Sequence, residues 1–267
     1  MRSNRFARLL ASAAIIAAIG LATAGCQTTQ VADSTNSISL APEQRSDADL
    51  RRDVIVYGTQ YRTSPQDVNV ALHYAQALRG TGQYAQASAV LQQVSLRNPH
   101  NQTVLGEYGR ALAEAGEYQQ ALQVLEGATT PDQPDWHILS AQGAVLDQLG
   151  RHEEAQRHYL TALKIVPDEP TVLSNLGLSY ALSKNLTDAE ATLRRAAEHQ
   201  PVDPRVRQNL ALVVGLQGRF AEAESIAQAD LPPDQAASNV AYLRNMLARK
   251  GATPAAKRTA RNDAGSS

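Results

Sequence analysis

"LRGTGQYAQA" (Leu78–Ala87), "LAEAGEYQQA" (Leu112–Ala121) and "LDQLGRHEEA" (Leu146–Ala155) are three versions of one sequence pattern. Each reads L-x-x-x-G-x-(Y/H)-x-x-A, and each begins 34 residues after the one before it. The same phase continues through Tyr180–Ala189 and Val214–Ala223, so five copies follow one another without a slip. A fixed period of this length indicates a stack of identical supersecondary units.

Small residues explain how each unit folds. One recurs twelve positions before the repeated alanine, as Ala75, Gly109, Gly143, Gly177 and Ala211. We expect it to lie in the middle of a first helix and to face the repeated alanine of a second, so that the two backbones approach closely. The pattern therefore predicts a helical hairpin in every copy.

Turn residues separate the two helices of each hairpin. Glycine stands there in four copies, at Gly82, Gly116, Gly150 and Gly218, where a helix C′ residue takes the left-handed conformation. In the fourth copy Lys184 and Asn185 replace it, and we expect Asn185 to supply the left-handed residue. Prolines then end the second helices, at Pro99, Pro167 and Pro201, and Pro131 and Pro134 bracket the same position in the second copy.

These features resemble the tetratricopeptide repeat, a helix–turn–helix family with a period of 34 residues. The resemblance implies an all-α solenoid with five repeats over residues 68–237. Asp49–Pro65 fits the phase of a lone second helix, which predicts an N-terminal half-repeat. Asn239–Lys250 is predicted to be a C-terminal capping helix, with Val240, Leu243 and Leu247 on one face.

The segments outside the repeats complete the domain organisation. A basic start containing Arg2, Arg5 and Arg8 precedes the apolar run Leu9–Ala22, which is too short to span a bilayer and is typical of a signal peptide. We therefore predict a signal peptide at 1–25 and a lipidated, flexible linker at 26–47. The solenoid follows at 48–250, and a disordered tail at 251–267.

Cys26 is the single cysteine of the chain, and it follows the small residues at 22–25. A bland interpretation makes it a small buried residue in a cleaved or membrane-anchored helix. The segment instead resembles a bacterial lipobox, although Thr23 stands where lipoboxes usually have leucine. This resemblance implies that lipidated Cys26 becomes the mature N-terminus. Gln27 after the cysteine implies outer-membrane delivery, on the periplasmic face.

Composition excludes several function classes. Among 267 residues 43% are hydrophobic, 4% aromatic and 19% charged, and the net charge of −1 argues against nucleic-acid binding. One cysteine excludes an internal disulfide and a site with several thiolates. The six histidines have no metal-ligand spacing. We therefore predict no catalytic residue, no metal and no cofactor, and a chain that is not an enzyme.

A partner groove is what remains. Repeat positions 2, 5, 6, 9 and 12 of tetratricopeptide first helices line a concave surface, which predicts as groove residues Gln76, Arg79, Arg110, Asp147, Asn175, Arg205, Gln208 and Asn209. Asn175, Arg205 and Asn209 match part of the clamp with which some such domains hold a C-terminal carboxylate. Ser140 and Ala144 stand where that clamp needs lysine and asparagine, so the match is incomplete. Ordinary solvation of a polar face is the alternative.

The C-terminal third carries a more specific resemblance. "DPRVRQNLALVVGLQGRFAEAE" (203–224) and "DLPPDQAASNVAYLR" (230–244) are similar to the TadD family, lipoproteins of the tight-adherence (Flp) pilus assembly system. The resemblance implies a non-enzymatic scaffold for pilus biogenesis, with a pilotin-like role towards the outer-membrane secretin. An envelope adaptor for β-barrel assembly or peptidoglycan hydrolases is the alternative. Neither interpretation names the oligomeric state.

Overall fold

The structure is a computed structural model that describes residues 46–129, 132, 134–199 and 201–251, and these residues form twelve α-helices and no strand. In chain order the helices are α1 (Asp47–Thr63), α2 (Val68–Gly80), α3 (Tyr84–Arg97), α4 (Gln102–Glu114), α5 (Tyr118–Ala128), α6 (Trp136–Gln148), α7 (His152–Ile165), α8 (Pro170–Leu182), α9 (Leu186–Ala196), α10 (Pro204–Leu216), α11 (Phe220–Ala227) and α12 (Pro233–Gly251). The five predicted hairpins are confirmed as α2–α3 to α10–α11. The signal peptide, Cys26, residues 27–45 of the linker and the tail beyond Gly251 lie outside the described residues.

The chain divides into two compact units. The first holds α1–α5 together with Gln148–Gly150, and the second holds Pro134–Asp147 and the residues from Arg151 onward. Within the described residues, none of the helices combines the length and the apolar character needed to cross a membrane.

The turns inside the hairpins close as Schellman motifs. Gly82, Gly116, Gly150 and Gly218 have φ between 76° and 85°, as predicted. In the first hairpin, Gln83 N–H donates to the carbonyl of Leu78 at 2.8 Å, and Gly82 N–H donates to Arg79 at 3.0 Å. This is the pairing of C″ with C3 and of C′ with C2 that satisfies the last helical carbonyls. The leucine and glycine of the sequence pattern are thus the two ends of one helix stop.

The fourth turn departs from the sequence prediction. Lys184, not Asn185, is the left-handed residue, with φ of 68°. Asn185 has φ of −86° and begins α9, where its side chain accepts a hydrogen bond from Asp188 N–H. Asparagine tolerates the left-handed region better than lysine does, but the 34-residue register places position 184 at C′ and leaves Asn185 to serve as the N-cap.

The small residue of each first helix packs against a large one. A Cβ added to Gly109 would lie 2.4 Å from Leu125 Cγ, and one on Gly177 would lie 2.6 Å from Leu193 Cγ. These partners lie one helical turn after the repeated alanine, so the expectation that the alanine is the nearest neighbour was wrong. For Gly177, the backbone oxygen of Ala189 is also close, at 3.2 Å. Glycine therefore makes a notch that a leucine or an aromatic ring fills.

The two terminal helices differ from the hairpins at key repeat positions. α12 begins at Pro233, six residues before the predicted start, because Pro232 C=O accepts from Ala236 N–H and opens the helix there. Val240 and Leu243 are buried, as expected of a cap. Asn245 holds the position of the small residue and is exposed, and Asp53 of α1 holds that of the repeated alanine. α1 itself begins at Asp47, two residues before the predicted start.

Candidate functional site

The predicted groove residues of the first unit are joined by ion pairs. Arg79 on α2 donates to Glu114 of α4 through Nε at 2.6 Å and through a second nitrogen at 2.7 Å, and it also contacts Glu107. Arg110 donates to Glu107 at 2.6 Å. Partial burial opposes the charge of Arg79, yet the hydrogen bonds to Glu114 and the charge of Glu107 raise its pKa. Only Gln76 of the three predicted residues is an exposed, uncharged side chain.

In the second unit, two asparagines tie neighbouring first helices together. Asn175 Nδ2 donates to Ser140 Oγ at 3.4 Å, and Asn209 Nδ2 donates to Ser174 Oγ at 3.0 Å. Both bonds link residues 35 positions apart, so α6, α8 and α10 share one repeated side-chain contact. Gln208 lies beside Asn209 in sequence and is half-buried.

Arg205 is the remaining predicted groove residue, and it is engaged locally. Its guanidinium donates to Asp203 at 2.8 Å, and this hydrogen bond holds the pKa of the Asp203 carboxyl below its usual range. Ser140, at one of the missing clamp positions, is occupied by Asn175. The partial carboxylate clamp suggested by the sequence is therefore built as intramolecular contacts, with its one cation already paired.

A polar cluster that the sequence analysis did not identify lies at the end of α6. Asp147 is 8% exposed and accepts three side-chain hydrogen bonds. The donors are His152 Nδ1 at 2.8 Å, Ser179 Oγ at 2.8 Å and Tyr159 Oη at 3.2 Å. Burial raises the pKa of Asp147 and outweighs the three hydrogen bonds, which act to lower it. Burial likewise raises the pKa of the Tyr159 phenol well above its ordinary value.

The residue types of this cluster invite comparison with a hydrolase triad, but the connectivity differs. In a triad the imidazole lies between the hydroxyl and the carboxylate, so that it can take the hydroxyl proton. Here Ser179 and His152 both donate to the same carboxylate, Asp147. The hydroxyl proton is directed at Asp147 rather than at the imidazole, so this geometry does not activate Ser179 as a nucleophile. Among the described residues, no group of three or more His, Cys, Asp and Glu side chains is placed to hold a metal.

Comparing the copies with one another would have revealed the cluster. His152 occupies the tyrosine position of its repeat, which by itself indicates a packing residue. Tyr159 and Ser179 each replace an apolar residue of the other copies, but they lie in different repeats, 20 positions apart. Each substitution taken singly is unremarkable, and the signal is that they coincide around Asp147.

A second charged network lies on the second helices of this unit. Glu190 accepts from Arg219, Arg194 and Gln217, with Arg194 at 2.9 Å and Gln217 at 2.9 Å. The hydrogen bond from Arg219 is the largest of the effects that lower the pKa of Glu190 to about 2. Glu222 joins both arginines, at 2.6 Å from Arg194 and 3.0 Å from Arg219. The network links α9 to α11 and the turn before it, and its charges are satisfied internally.

Three family models match the chain. Two are described as "Tetratricopeptide repeat", at residues 80–143 and 185–238, and one as "TPR repeat", at residues 143–184. Together they span more than half of the 267 residues. No curated protein sequence matches the chain.

Solved structures show the same fold at low sequence identity. PilW, described as a widely conserved type IV pilus biogenesis factor, is 15% identical with a TM-score of 0.63, over 72% of this chain and 91% of that one. TTC0263, a thermophilic TPR protein of Thermus thermophilus, is 21% identical with a TM-score of 0.56, over 62% and 91%. The Cut9 and Hcn1 complex of the APC/C matches at 16% identity and a TM-score of 0.59, over 72% and 40%.

Proposed function

The chain belongs to the tetratricopeptide-repeat family, and from this premise we propose that it is a lipid-anchored scaffold of Flp pilus assembly. The repeat fold is suited to protein–protein interaction, and the described residues show no catalytic arrangement. In the proposed role the chain is anchored through Cys26 to the periplasmic face of the outer membrane. Its partner is a component of the pilus secretion apparatus, with the secretin as the first candidate.

The observation that carries this proposal is the sequence of the C-terminal third. The segments 203–224 and 230–244 resemble the TadD lipoproteins at positions that the repeat pattern does not dictate. They fall on α10–α12, which include the last hairpin and the capping helix. The likeness to PilW concerns the fold alone, and it is consistent with such a fold serving pilus biogenesis.

The contacts of the polar face narrow the mode of binding. Because Arg205 is paired with Asp203, and Asn175 and Asn209 already donate to serines, the second unit offers no ready clamp for a C-terminal carboxylate. We therefore propose an internal segment of the partner as the ligand, rather than its chain end. A peptide from the partner that binds equally well with a free or an amidated C-terminus supports this mode.

Deleting the gene tests the proposed role. We expect loss of surface Flp pili and of the normal secretin multimer, both restored by the full-length chain. A deletion strain with normal pili and a normal multimer would falsify the proposal. If outer-membrane β-barrel assembly or cell-wall hydrolysis fails instead, the envelope-adaptor alternative is favoured.

Substitution of Cys26 tests the anchor separately. We expect Cys26→Ser to abolish palmitate labelling and to release the protein from the outer-membrane fraction, because serine lacks the thiol that carries the lipid. Thr23→Leu is the matched control: it restores the usual lipobox residue and should retain or increase labelling. Undiminished labelling of Cys26→Ser would place the lipid elsewhere.

A further inference from the structure

The Asp147 cluster is built from residues that depart from the repeat. At the position of His152 the other copies have Tyr84, Tyr118, Leu186 and Phe220. At the position of Tyr159 they have Leu91, Leu125, Leu193 and Ala227, and at the position of Ser179 they have Ala77, Ala111, Val145 and Val213. Asp147 itself replaces Arg79, Ala113, Ala181 and Gly215. Four departures that meet at one carboxylate are a built feature of this chain and not a requirement of its fold.

The carboxylate of Asp147 joins three helices. Asp147 lies at the end of α6, His152 and Tyr159 belong to α7, and Ser179 belongs to α8. The bond from Ser179 is the contact that crosses from one hairpin to the next, at 2.8 Å. Ser179 is fully buried and Tyr159 is 1% exposed, so water does not replace these donors. Fixing the carboxylate therefore fixes α8 against the α6–α7 hairpin.

Protons decide the charge of the cluster. The titratable groups that face Asp147 are His152 and Tyr159, both on α7, whereas α8 contributes the uncharged Ser179. Tyr159 keeps its proton at neutral pH, because burial raises the pKa of its phenol. With a neutral imidazole the cluster carries one buried negative charge, and one added proton removes it. Whichever atom holds that proton, it is shared by the Asp147–His152 pair.

We propose that this cluster is an acid-tightened latch, which holds α8 to the α6–α7 hairpin more firmly when the Asp147–His152 pair has taken up one proton. The physical reason is that burying a net charge is costly, whereas burying a neutral ion pair with its hydrogen bonds satisfied costs much less. His152 is 20% exposed in its side chain, which gives the proton a path from solvent. The face that carries Ser140 and Asn175 lies on α6 and α8, so the latch also sets how rigidly this face is held.

The sign of the effect follows from linkage. The folded chain takes up the pair's proton at a higher pH than an unfolded imidazole, whose pKa is about 6.5. The added stability is therefore fully present below about pH 6.5, and it is lost as the pH rises through the higher value of the folded state. A second proton, on Asp147 itself, would leave a buried imidazolium without its counter-ion. The latch is thus tightest in mild acid rather than at the acid extreme.

Amide hydrogen exchange of the full chain tests the latch. Protection of the α8 amides, corrected for the intrinsic pH dependence of exchange, should be about tenfold greater near pH 5.5 than near pH 8, since one pKa unit is a factor of ten. His152→Gln keeps a hydrogen-bond donor but takes up no proton, and it should remove this difference. His137→Gln is the matched control, because His137 pairs with Asp135 at 2.9 Å but is 53% exposed, and it should leave the difference intact.

Three results would overturn the proposal: equal protection of α8 at the two pH values, a pH difference that survives His152→Gln, or one that is lost in His137→Gln. If His152→Gln fails to fold, carbon-labelled wild-type protein gives the same answer by NMR. The carboxyl signal of Asp147 and the imidazole signal of His152 should then change together in one step above about pH 6.5. Separate steps for the two groups, or a shared step below that pH, also overturn it.

Discussion

Gly143→Ala is expected to destabilise the second unit by about 3 kcal/mol, at the upper end of the usual effect of overpacking a core. The new Cβ would lie 2.6 Å from Tyr159 Cε1 and 2.7 Å from its Cζ. A flexible side chain could turn aside, but Tyr159 is 1% exposed and its hydroxyl is held by Asp147 at 3.2 Å. Relief of the clash therefore breaks a buried hydrogen bond. Urea unfolding followed by circular dichroism measures the loss.

Gly127→Ala is the matched control for this substitution. Gly127 lies in α5, and a Cβ added there meets nothing within 4 Å. Alanine should therefore raise stability by about 0.5–1 kcal/mol, through its better helix propensity alone. If Gly143→Ala behaves like Gly127→Ala, the close approach of α6 and α7 is refuted.

Leu193→Ala is expected to cost about 2–5 kcal/mol, because Leu193 is fully buried and the space it leaves cannot collapse completely. Leu193 fills the notch above Gly177, where an added Cβ would lie 2.6 Å from its Cγ. Gly177→Ala alone should also destabilise, by overpacking. The double variant should lose at least about 1 kcal/mol less than the sum of the two single variants, because the new methyl group enters the space vacated by leucine.

Leu160→Ala is the control for the cavity, since Leu160 is 44% exposed on α7 and should cost less than about 1 kcal/mol. The same unfolding measurement applies to all four variants. Strict additivity of Gly177→Ala and Leu193→Ala would mean that the notch and the leucine are not complementary.

The helical hairpins could be predicted from sequence because their determinants are local and repeated. Leu78 and Gly82 form a helix stop within six residues, and the period then places the other copies. The same reasoning placed the left-handed residue wrongly at Asn185, because it weighed the propensity of one residue above the register. Where propensity and register disagreed, the register of the closed turn decided, and Lys184 accepts the strain.

The candidate site could be predicted only in part, because its contacts join distant positions. Arg79 and Glu114 are 35 residues apart, and Ser179 and Asp147 are 32 apart. The sequence identified Arg79 and Arg205 as polar residues of a shared face, but not the acids that neutralise them. The tyrosine position of the motif indicates packing for His152. Its role depends instead on Asp147, which is buried only once the hairpin has folded.

The polar residues at the two ends fix how many hairpins the chain can hold. Asn245 occupies the notch position of α12, so a further second helix would find an exposed amide where the inner hairpins have glycine or alanine. Asp53 has the corresponding effect on α1, at the position where the repeated alanines are fully buried. A tandem duplication of 34 residues between these two positions would keep its phase, whereas one appended outside them would have no surface to pack on. The chain therefore lengthens by duplication only from within.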